Sequence, residues 1–370
     1  MGDRRSTSIR AATRIAVSLP LGLMAVAAAL ARPSTAGVIA SQVDPAAPGP
    51  STVADTARNR AVTELTYPSS DGRKMRAVLS MPSGDGPFPV VVTIHGGQGN
   101  RDLAFIRTLA VPGGISQTVT MLNEQPWAVL AISYRAGGGA VLGMEQDDVV
   151  AGIRFATTLP RIDPARVGVI GGSHGGHLAL RAAEVMGREI LCVAAGSPWM
   201  TNPRVYLFGK PDQPPLSEIS PQARAVVLST RATILPGLQR NRGLSAEALD
   251  TLLSERSIEA HAAQIVVPAL FLTSLADVQV PHVMVEPTIA RLKAAGRDVT
   301  VYTAAKSLHG FYWGRDVGGA RVGLGAKTSE ELAEEAAARD QILRFFTRWF
   351  EAASTRRSGT AARHSLSSSG

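Results

Sequence analysis

Short, almost wholly apolar segments that alternate with helical stretches are the feature that most constrains the fold of this chain. Pro89–Ile94 is typical of a strand that is buried on both faces of a parallel sheet. Further apolar segments occur at 128–133, 167–170, 190–194, 269–273 and 299–302, and the helical stretches between and after them occur at 147–157, 174–186, 281–295 and 329–350. This alternation predicts an α/β protein with a mostly parallel, doubly wound sheet and right-handed crossovers.

The folded region is expected to begin with an antiparallel hairpin. Apolar residues alternate along Ala61–Tyr67 and Met75–Met81, which a Pro- and Gly-containing turn separates. The region before the hairpin, 32–60, is rich in Pro, Ala, Ser and Thr and is expected to be a flexible linker. Residues 352–370 are polar and low in complexity, which is typical of a disordered tail. The folded domain is therefore expected at 61–351.

The first 31 residues have the composition of a signal peptide. Four arginines precede the apolar run Ile15–Leu30, and Ala29 and Ala31 offer small residues at a cleavage site. Ser34–Ala36 is a second possible site. The alternative is an uncleaved anchor, although the run is shorter than the ~20 residues that span a bilayer. The sequence predicts export to the periplasm or the medium, without a membrane span after cleavage, by the general secretory or the twin-arginine route.

Charge and cysteine content exclude several function classes. The formal net charge is +8, but 1–31 and 352–370 each contribute +3, so the body carries only +2. Such a body gives no reason to expect a nucleic-acid partner. Cys192 is the single cysteine, which excludes an internal disulfide and a cysteine-based structural zinc site.

A serine stands at the junction between one predicted strand and the next predicted helix. Gly171-Gly172-Ser173-His174-Gly175 has the form G-x-S-x-G. A serine on such a sharp turn stands clear of the sheet, and the helix dipole favours negative charge that develops there. The glycines permit the turn because they lack a Cβ. The pattern predicts Ser173 as a nucleophile; a turn serine that caps the helix is the alternative.

An acid and a histidine follow the last two predicted strands, in the order expected after a G-x-S-x-G nucleophile. They are Asp277 and His309, and both are expected at the carboxyl edge of the sheet together with Ser173. Asp298 precedes its strand and is expected at the opposite edge. The pattern predicts a triad in which His309 takes the serine proton and Asp277 orients the ring. A structural loop acid and a structural histidine are the alternatives.

Two backbone N–H groups are expected to bind the oxyanion of the reaction. One belongs to His174, which follows the nucleophile. The other belongs to the loop that starts at His95, where Gly97 is favoured and Gln98 is the next choice. His95 is interpreted as a buried residue that orients this loop, with a metal ligand as the alternative. The predicted chemistry requires neither a metal nor an organic cofactor.

These motifs together resemble the α/β-hydrolase superfamily, in particular its prolyl-oligopeptidase-like and dienelactone-hydrolase-like branches. Ser133–Gly138, Asp147-Asp148 and Arg161–Gly168 are similar to segments that precede the nucleophile in those enzymes, and His309–Phe311 is similar to their histidine loop. The resemblance covers about residues 61–351. It implies the α/β-hydrolase fold and a serine nucleophile, and it leaves the substrate open.

The long interval between the strand that ends near Ala195 and the next predicted strand suggests an inserted helical cap. We expect this cap at about 198–262, over the substrate pocket. Trp199, Tyr206 and Phe208 are candidate pocket residues for an apolar acyl or alcohol group. The alternative is that these aromatic side chains only pack the cap onto the body.

Three functions are consistent with the sequence. The first is an exported serine hydrolase that cleaves carboxylic esters of small molecules through an acyl-enzyme. The second is a serine peptidase that cleaves short peptides. The roughly 30 residues between the signal and the first strand leave no room for the propeller of prolyl oligopeptidases, which makes a dedicated exopeptidase less expected. The third is a non-catalytic binding protein on a hydrolase scaffold, which the intact Ser173, Asp277 and His309 disfavour.

Overall fold

A computed structural model describes most of the chain. The described residues are 52–55, 59–97, 101–112, 116–135, 141–314 and 325–367. The predicted signal peptide at 1–31, most of the predicted linker and Gln98 lie outside these ranges. None of the described helices combines the length and apolar character that crossing a membrane would require.

Nine strands form a single sheet in the described ranges. They are β1 (Thr52–Asp55), β2 (Arg60–Pro68), β3 (Lys74–Pro82), β4 (Phe88–Ile94), β5 (Ala128–Ile132), β6 (Ile162–Gly172), β7 (Cys192–Gly196), β8 (Ala269–Ser274) and β9 (Val299–Ala304). Their order in the sheet is β1-β2-β3-β5-β4-β6-β7-β8-β9. The pairs β1·β2, β2·β3 and β3·β5 are antiparallel, and every other pair is parallel. The predicted mostly parallel sheet with an antiparallel start is confirmed.

Helices cover both faces of this sheet. They are α1 (Leu103–Arg107), α2 (Gln117–Asn123), α3 (Met144–Thr158), α4 (His174–Met186), α5 (Pro203–Phe208), α6 (Pro221–Arg242), α7 (Ala246–Glu255), α8 (Glu286–Ala294) and α9 (Ser329–Ser367). Successive residues of β4 point to opposite faces. Val92 packs in one core with Leu178 of α4, and Val91 packs in the other with Ile342 of α9. The sheet is therefore doubly wound, as predicted.

Two segments differ from the sequence prediction at the ends of the domain. Thr52–Asp55, predicted as part of the flexible linker at 32–60, forms β1 and pairs with Arg60–Thr63. Its β-branched residues favour an extended backbone, and the edge of β2 supplies hydrogen-bond partners. The tail predicted to be disordered at 352–370 instead continues α9 to Ser367. Alanines without a proline favour helix there, and the Ser354 hydroxyl lies 3.2 Å from the Arg166 guanidinium.

The interval between β7 and β8 holds α5, α6 and α7, where the sequence predicted a helical cap at about 198–262. Each of these helices begins with a side-chain cap, from Asn202, Ser220 and Ser245 respectively. Buried apolar residues of the three helices, such as Leu207 and Leu238, join the core on the α4 face of the sheet. The insertion therefore packs on the same side as the helix that follows Ser173.

Candidate active site

Ser173 occupies a strained turn between β6 and α4. Its backbone angles are φ 56° and ψ −120°, a combination that side-chain-bearing residues rarely adopt outside functional sites. A Cβ on Gly171 would collide with the Gly175 carbonyl, and a Cβ on Gly175 would collide with the His95 carbonyl. The Ser173 N–H donates to the Gly196 carbonyl at 2.7 Å, which ties the turn to β7. The glycines of the motif are thus required by close backbone approach.

Asp277 and His309 meet in the structure, as the sequence predicted. The Asp277 Oδ2 atom lies 2.8 Å from Nδ1 of His309, and both side chains are almost fully buried. Oδ1 of Asp277 accepts the N–H groups of Gln279 and Val280, each at 2.9 Å. With both oxygens engaged, the carboxylate fixes the imidazole so that Nδ1 donates and Nε2 keeps its lone pair. Nε2 is therefore the nitrogen available to accept a proton.

Asp298 lies at the other end of β9, as expected from its place before the strand. It is partly exposed and forms an ion pair with Arg348 at 3.3 Å. Because the carboxyl ends of β6, β8 and β9 carry Ser173, Asp277 and His309, these three residues share one edge of the sheet and Asp298 does not.

Tyr312 connects the histidine loop to the nucleophile turn, and no sequence pattern predicted this position. Its buried ring packs edge-on to His309, with ring centroids 6.4 Å apart, and fills the space where Gly172 lacks a side chain. Burial, together with the charge of Asp277, raises the pKa of its hydroxyl well above the usual value. The aromatic run directly after His309 was the available signal, but aromatic residues there are equally typical of a core.

The loop after β4 lies against Ser173, where an oxyanion-binding loop was predicted. A Cβ on Gly96 would come within 3.2 Å of the Ser173 Cβ, and Gly97 has φ +77°, which favours glycine. His174 begins α4, so its N–H is one of the unpaired amides of the helix N-terminus. Gln98, the other residue considered, lies outside the described ranges.

His95 is buried behind this loop. Its Nδ1 lies 3.1 Å from the Gly96 carbonyl, and burial lowers its pKa to about 3, so the ring is neutral. Within the part of the chain that the structure describes, no group of three or more His, Cys, Asp and Glu residues is arranged to hold a metal ion. These contacts support a loop-orienting role for His95.

Glu145 and His174 form a buried pair beside the nucleophile, which no sequence pattern predicted. Oε2 of Glu145, in the first turn of α3, lies 3.0 Å from Nε2 of His174. Oε1 of Glu145 accepts the N–H of Leu142 at 2.8 Å. Periodicity could not reveal this pair because the two residues lie on different helices, 29 positions apart.

A cavity of about 510 Å³ lies between α5, the cap loop before α6 and the segment after Asp277. Its walls are mostly apolar and rich in proline, and they include Pro198 and Val280. Val280 donates its N–H to Asp277, and Trp199, next to Pro198, donates its N–H to the Ser173 carbonyl at 3.0 Å. The cavity therefore shares its walls with the loops that hold the nucleophile and the acid.

The three predicted pocket aromatics have different positions. Tyr206 lines the cavity. Trp199 is buried behind it, with its ring 5.5 Å from that of Tyr206 and 5.1 Å from that of His174. Phe208 does not line the cavity and its side chain is 48% exposed, because the last turn of the short helix α5 directs it to solvent. The structure therefore does not support Phe208 as a pocket residue.

Comparison with known proteins gives matches to esterases and peptidases. A family model described as BD-FAE matches residues 78–192. Dipeptidyl aminopeptidase BIII from Pseudoxanthomonas mexicana is 26% identical over 132 residues, which cover 30% of this chain and 18% of that protein. The structure is similar to puromycin hydrolase, with a TM-score of 0.59 and 19% identity over 80% of this chain and 40% of the hydrolase. It is also similar to acetyl xylan esterase from Paenibacillus sp. R4, with a TM-score of 0.52 and 17% identity over 81% and 88% of the two chains.

These matches differ in how much of the other protein they span. This chain spans 18% of the length of the aminopeptidase and 40% of that of puromycin hydrolase, but most of the xylan esterase. At such low identities the structural similarity establishes the fold, and the substrates of those proteins remain theirs.

Proposed function

Because the chain has the fold of α/β hydrolases, we propose that it is a serine hydrolase that cleaves carboxylic ester bonds of small molecules. The observation that carries the proposal is the buried Asp277–His309 pair, at 2.8 Å, on the sheet edge that also presents Ser173 on a strained turn. This is the arrangement of side chains that activates a serine hydroxyl for attack on a carbonyl carbon.

The proposed reaction has two halves. Ser173 Oγ bonds to the ester carbonyl carbon while Nε2 of His309 takes the hydroxyl proton, and the oxyanion that forms is bound by the N–H groups of His174 and Gly97. Collapse breaks the bond to the alcohol oxygen, which receives the proton from His309. A water molecule then attacks the acyl-enzyme, gives its proton to His309 and releases the acid, and Ser173 recovers its proton.

The cavity favours an ester with an apolar group. It adjoins the Ser173 and Asp277 loops, and its volume of about 510 Å³ is that of a small-ligand pocket. Acetyl xylan esterase, named for an ester substrate, matches this chain over 88% of its own length.

A peptide substrate is the second candidate, and one feature of the cavity favours it. Glu218 and Glu286 lie on the cavity wall, and among the residues that the structure describes no arginine, lysine or histidine lines it. Negative charge beside an apolar pocket suits the ammonium group of a free peptide N-terminus. The aminopeptidase and puromycin hydrolase matches are consistent with this alternative.

Fluorophosphonate labelling followed by a substrate panel separates the candidates. We expect labelling of the wild type and none of Ser173→Ala. The panel holds p-nitrophenyl esters of increasing chain length, acetylated sugars and aminoacyl anilides, and we expect higher kcat/KM for esters than for anilides. Anilide turnover equal to ester turnover would favour the peptidase. Absence of labelling in protein whose circular dichroism shows a native fold would favour the non-catalytic binding protein.

We also propose that the protein is exported, on the basis of the basic and apolar pattern of residues 1–31. The mature protein from its native host should begin near Arg32 or Gly37 and be recovered outside the cytoplasm. N-terminal sequencing that returned Met1 or Gly2 on cytoplasmic protein would contradict this.

A further inference from the structure

A row of four buried aromatic rings runs beneath the nucleophile turn. The ring of Tyr134 stacks on that of His95, with centroids 4.0 Å apart and planes at 10°. On its other side lies the ring of His174, at 5.9 Å and 18°. Trp199 continues the row, 5.1 Å from His174. Tyr134 thus lies between one residue of the loop after β4 and the residue that follows Ser173.

The hydroxyl of Tyr134 holds the loop after β4. It lies 2.9 Å from the carbonyl oxygen of His95 and 3.2 Å from that of Gly97. The side chain is 1% exposed, and burial raises the pKa of this phenol well above its usual value, so the hydroxyl remains a donor. A loop that contains Gly96 and Gly97 has little stiffness of its own, because glycine restricts the backbone least. The Tyr134 hydrogen bonds therefore supply a restraint that the loop sequence does not.

The other end of the row is also fixed. The His174 ring lies 3.0 Å from the Glu145 carboxylate, which in turn accepts the N–H of Leu142. Trp199 donates its backbone N–H to the Ser173 carbonyl. Because His174 cannot shift without breaking its contact with Glu145, the ring of Tyr134 rests against a rigid surface.

We propose that Tyr134 is a positioning residue that sets the distance between the two halves of the oxyanion-binding site, by stacking against His174 and by hydrogen-bonding the loop that carries Gly97. The inference rests on the proposed serine-hydrolase function. The two backbone N–H donors cannot fix their own separation, because one of them lies in a loop that contains Gly96 and Gly97. Preorganised donors stabilise the transition state only when they are already in place for the oxyanion.

The test is Tyr134→Phe, which keeps the ring and removes the hydroxyl. Outright loss of an oxyanion donor costs about 10²–10³ in kcat, so loosening the loop should cost roughly tenfold to a hundredfold. KM for a p-nitrophenyl ester should change by less than about twofold, because ground-state binding does not use the oxyanion donors. Inhibition by an arylboronic acid, whose tetrahedral adduct places an oxygen in this site, should weaken by the same factor as kcat/KM.

Tyr67→Phe is the matched control. Tyr67 is equally buried, and its hydroxyl lies 2.6 Å from the Ser133 carbonyl and 3.2 Å from that of Asp148, away from the loop after β4. The Tyr67→Phe variant should lose about as much stability in thermal unfolding as Tyr134→Phe, and it should keep the kcat and boronate affinity of the wild type. Equal kcat losses in the two variants, or kcat within twofold of wild type in Tyr134→Phe, would overturn the proposal.

Amide hydrogen exchange keeps this proposal separate from the proposed function. Exchange at Gly96 and Gly97 should accelerate in Tyr134→Phe and stay unchanged in Tyr67→Phe, whether or not a substrate has been found. A wild type that is neither labelled nor active would contradict the serine-hydrolase function. Unchanged exchange in Tyr134→Phe would contradict the role of Tyr134 even in an active enzyme.

Discussion

Two buried ionic clusters lie at the carboxyl edge of the sheet, and their hydrogen-bond partners differ. In one, Asp277 contacts His309 and two backbone N–H groups. In the other, Asp148 accepts from the Arg135 backbone N–H, Nε and Nη2, and Arg135 also forms two hydrogen bonds with Asp71. Both clusters contain a fully buried carboxylate, but only in the first does that carboxylate contact an imidazole, a group that can accept and return a proton at neutral pH.

That difference separates a catalytic from a structural use of buried charge. The Arg135 guanidinium joins the hairpin turn that carries Asp71 to the first turns of α3, where Asp148 lies. Its hydrogen bonds to Asp71 and Asp148 therefore fix β3, β5 and α3 together. The Asp277–His309 pair leaves His309 Nε2 able to exchange a proton. We therefore expect substitutions in the first cluster to change rate, and substitutions in the second to change stability.

The largest effect is expected for Ser173→Ala. Removing a nucleophile of this kind costs on the order of 10⁶ in kcat, while the small, partly exposed hydroxyl contributes little to packing. The measurement is kcat on the best ester of the panel, together with the midpoint of thermal unfolding. Turnover within tenfold of wild type would remove Ser173 from the mechanism.

The same chemical change in both clusters tests the comparison directly. Asp277→Asn should lower kcat by about 10⁴, because the amide holds His309 in the wrong tautomer, and stability should change little. Asp148→Asn should leave kcat within a few-fold of wild type and lower the free energy of unfolding by about 3–5 kcal/mol, since it removes the charge of the fully buried partner in the Arg135–Asp148 ion pair. Urea unfolding and kcat are measured on both variants.

Asp298→Asn is the control for the acid assignment. It lies on the opposite edge of the sheet and should alter kcat by less than twofold. An active Asp277→Asn protein combined with an essential carboxylate elsewhere, such as Glu286, would show that the acid is assigned to the wrong loop.

The sequence predicted one cluster and not the other for a physical reason. Ser173, Asp277 and His309 each follow a strand, so strand periodicity alone brings them to one edge of the sheet. Asp148 and Glu145 lie in the first turns of α3, and their partners depend on how that helix rotates against the sheet. The short strand β1 was missed because four residues give too little periodicity to distinguish a strand from a linker. Local pattern thus predicts which edge a residue reaches, and packing decides what it touches there.

A pH-dependent loss of stability should come from the histidines beside the nucleophile. Burial lowers the pKa of His95 to about 3 and holds that of His177 well below its usual range. In the unfolded chain each of these imidazoles takes up a proton near pH 6.5, and in the folded chain it does not. Their contribution to the free energy of unfolding is therefore constant above about pH 6.5. Below it, stability falls by about 1.4 kcal/mol per pH unit for each such histidine. His177→Leu should reduce by one the number of protons taken up on unfolding, which is read from the slope of the free energy of urea unfolding against pH between pH 8 and 4. An unchanged slope would contradict a neutral His177.

The smallest effect is expected for Asp71→Asn, which changes the partly exposed carboxylate of the cluster formed by Asp71, Arg135 and Asp148. The Asp71 side chain is 39% exposed, and its hydrogen bonds with Arg135 hold its pKa well below the usual range. Its contribution to stability is therefore present above the ordinary aspartate pKa of about 4 and is lost as pH falls below it. This window lies at the acid end of the range in which the buried histidines act. We expect a smaller shift of the unfolding midpoint at pH 7 than in Asp148→Asn, and unchanged kcat. A loss of kcat would show that the hairpin turn also supports the active site and that the two clusters are not independent.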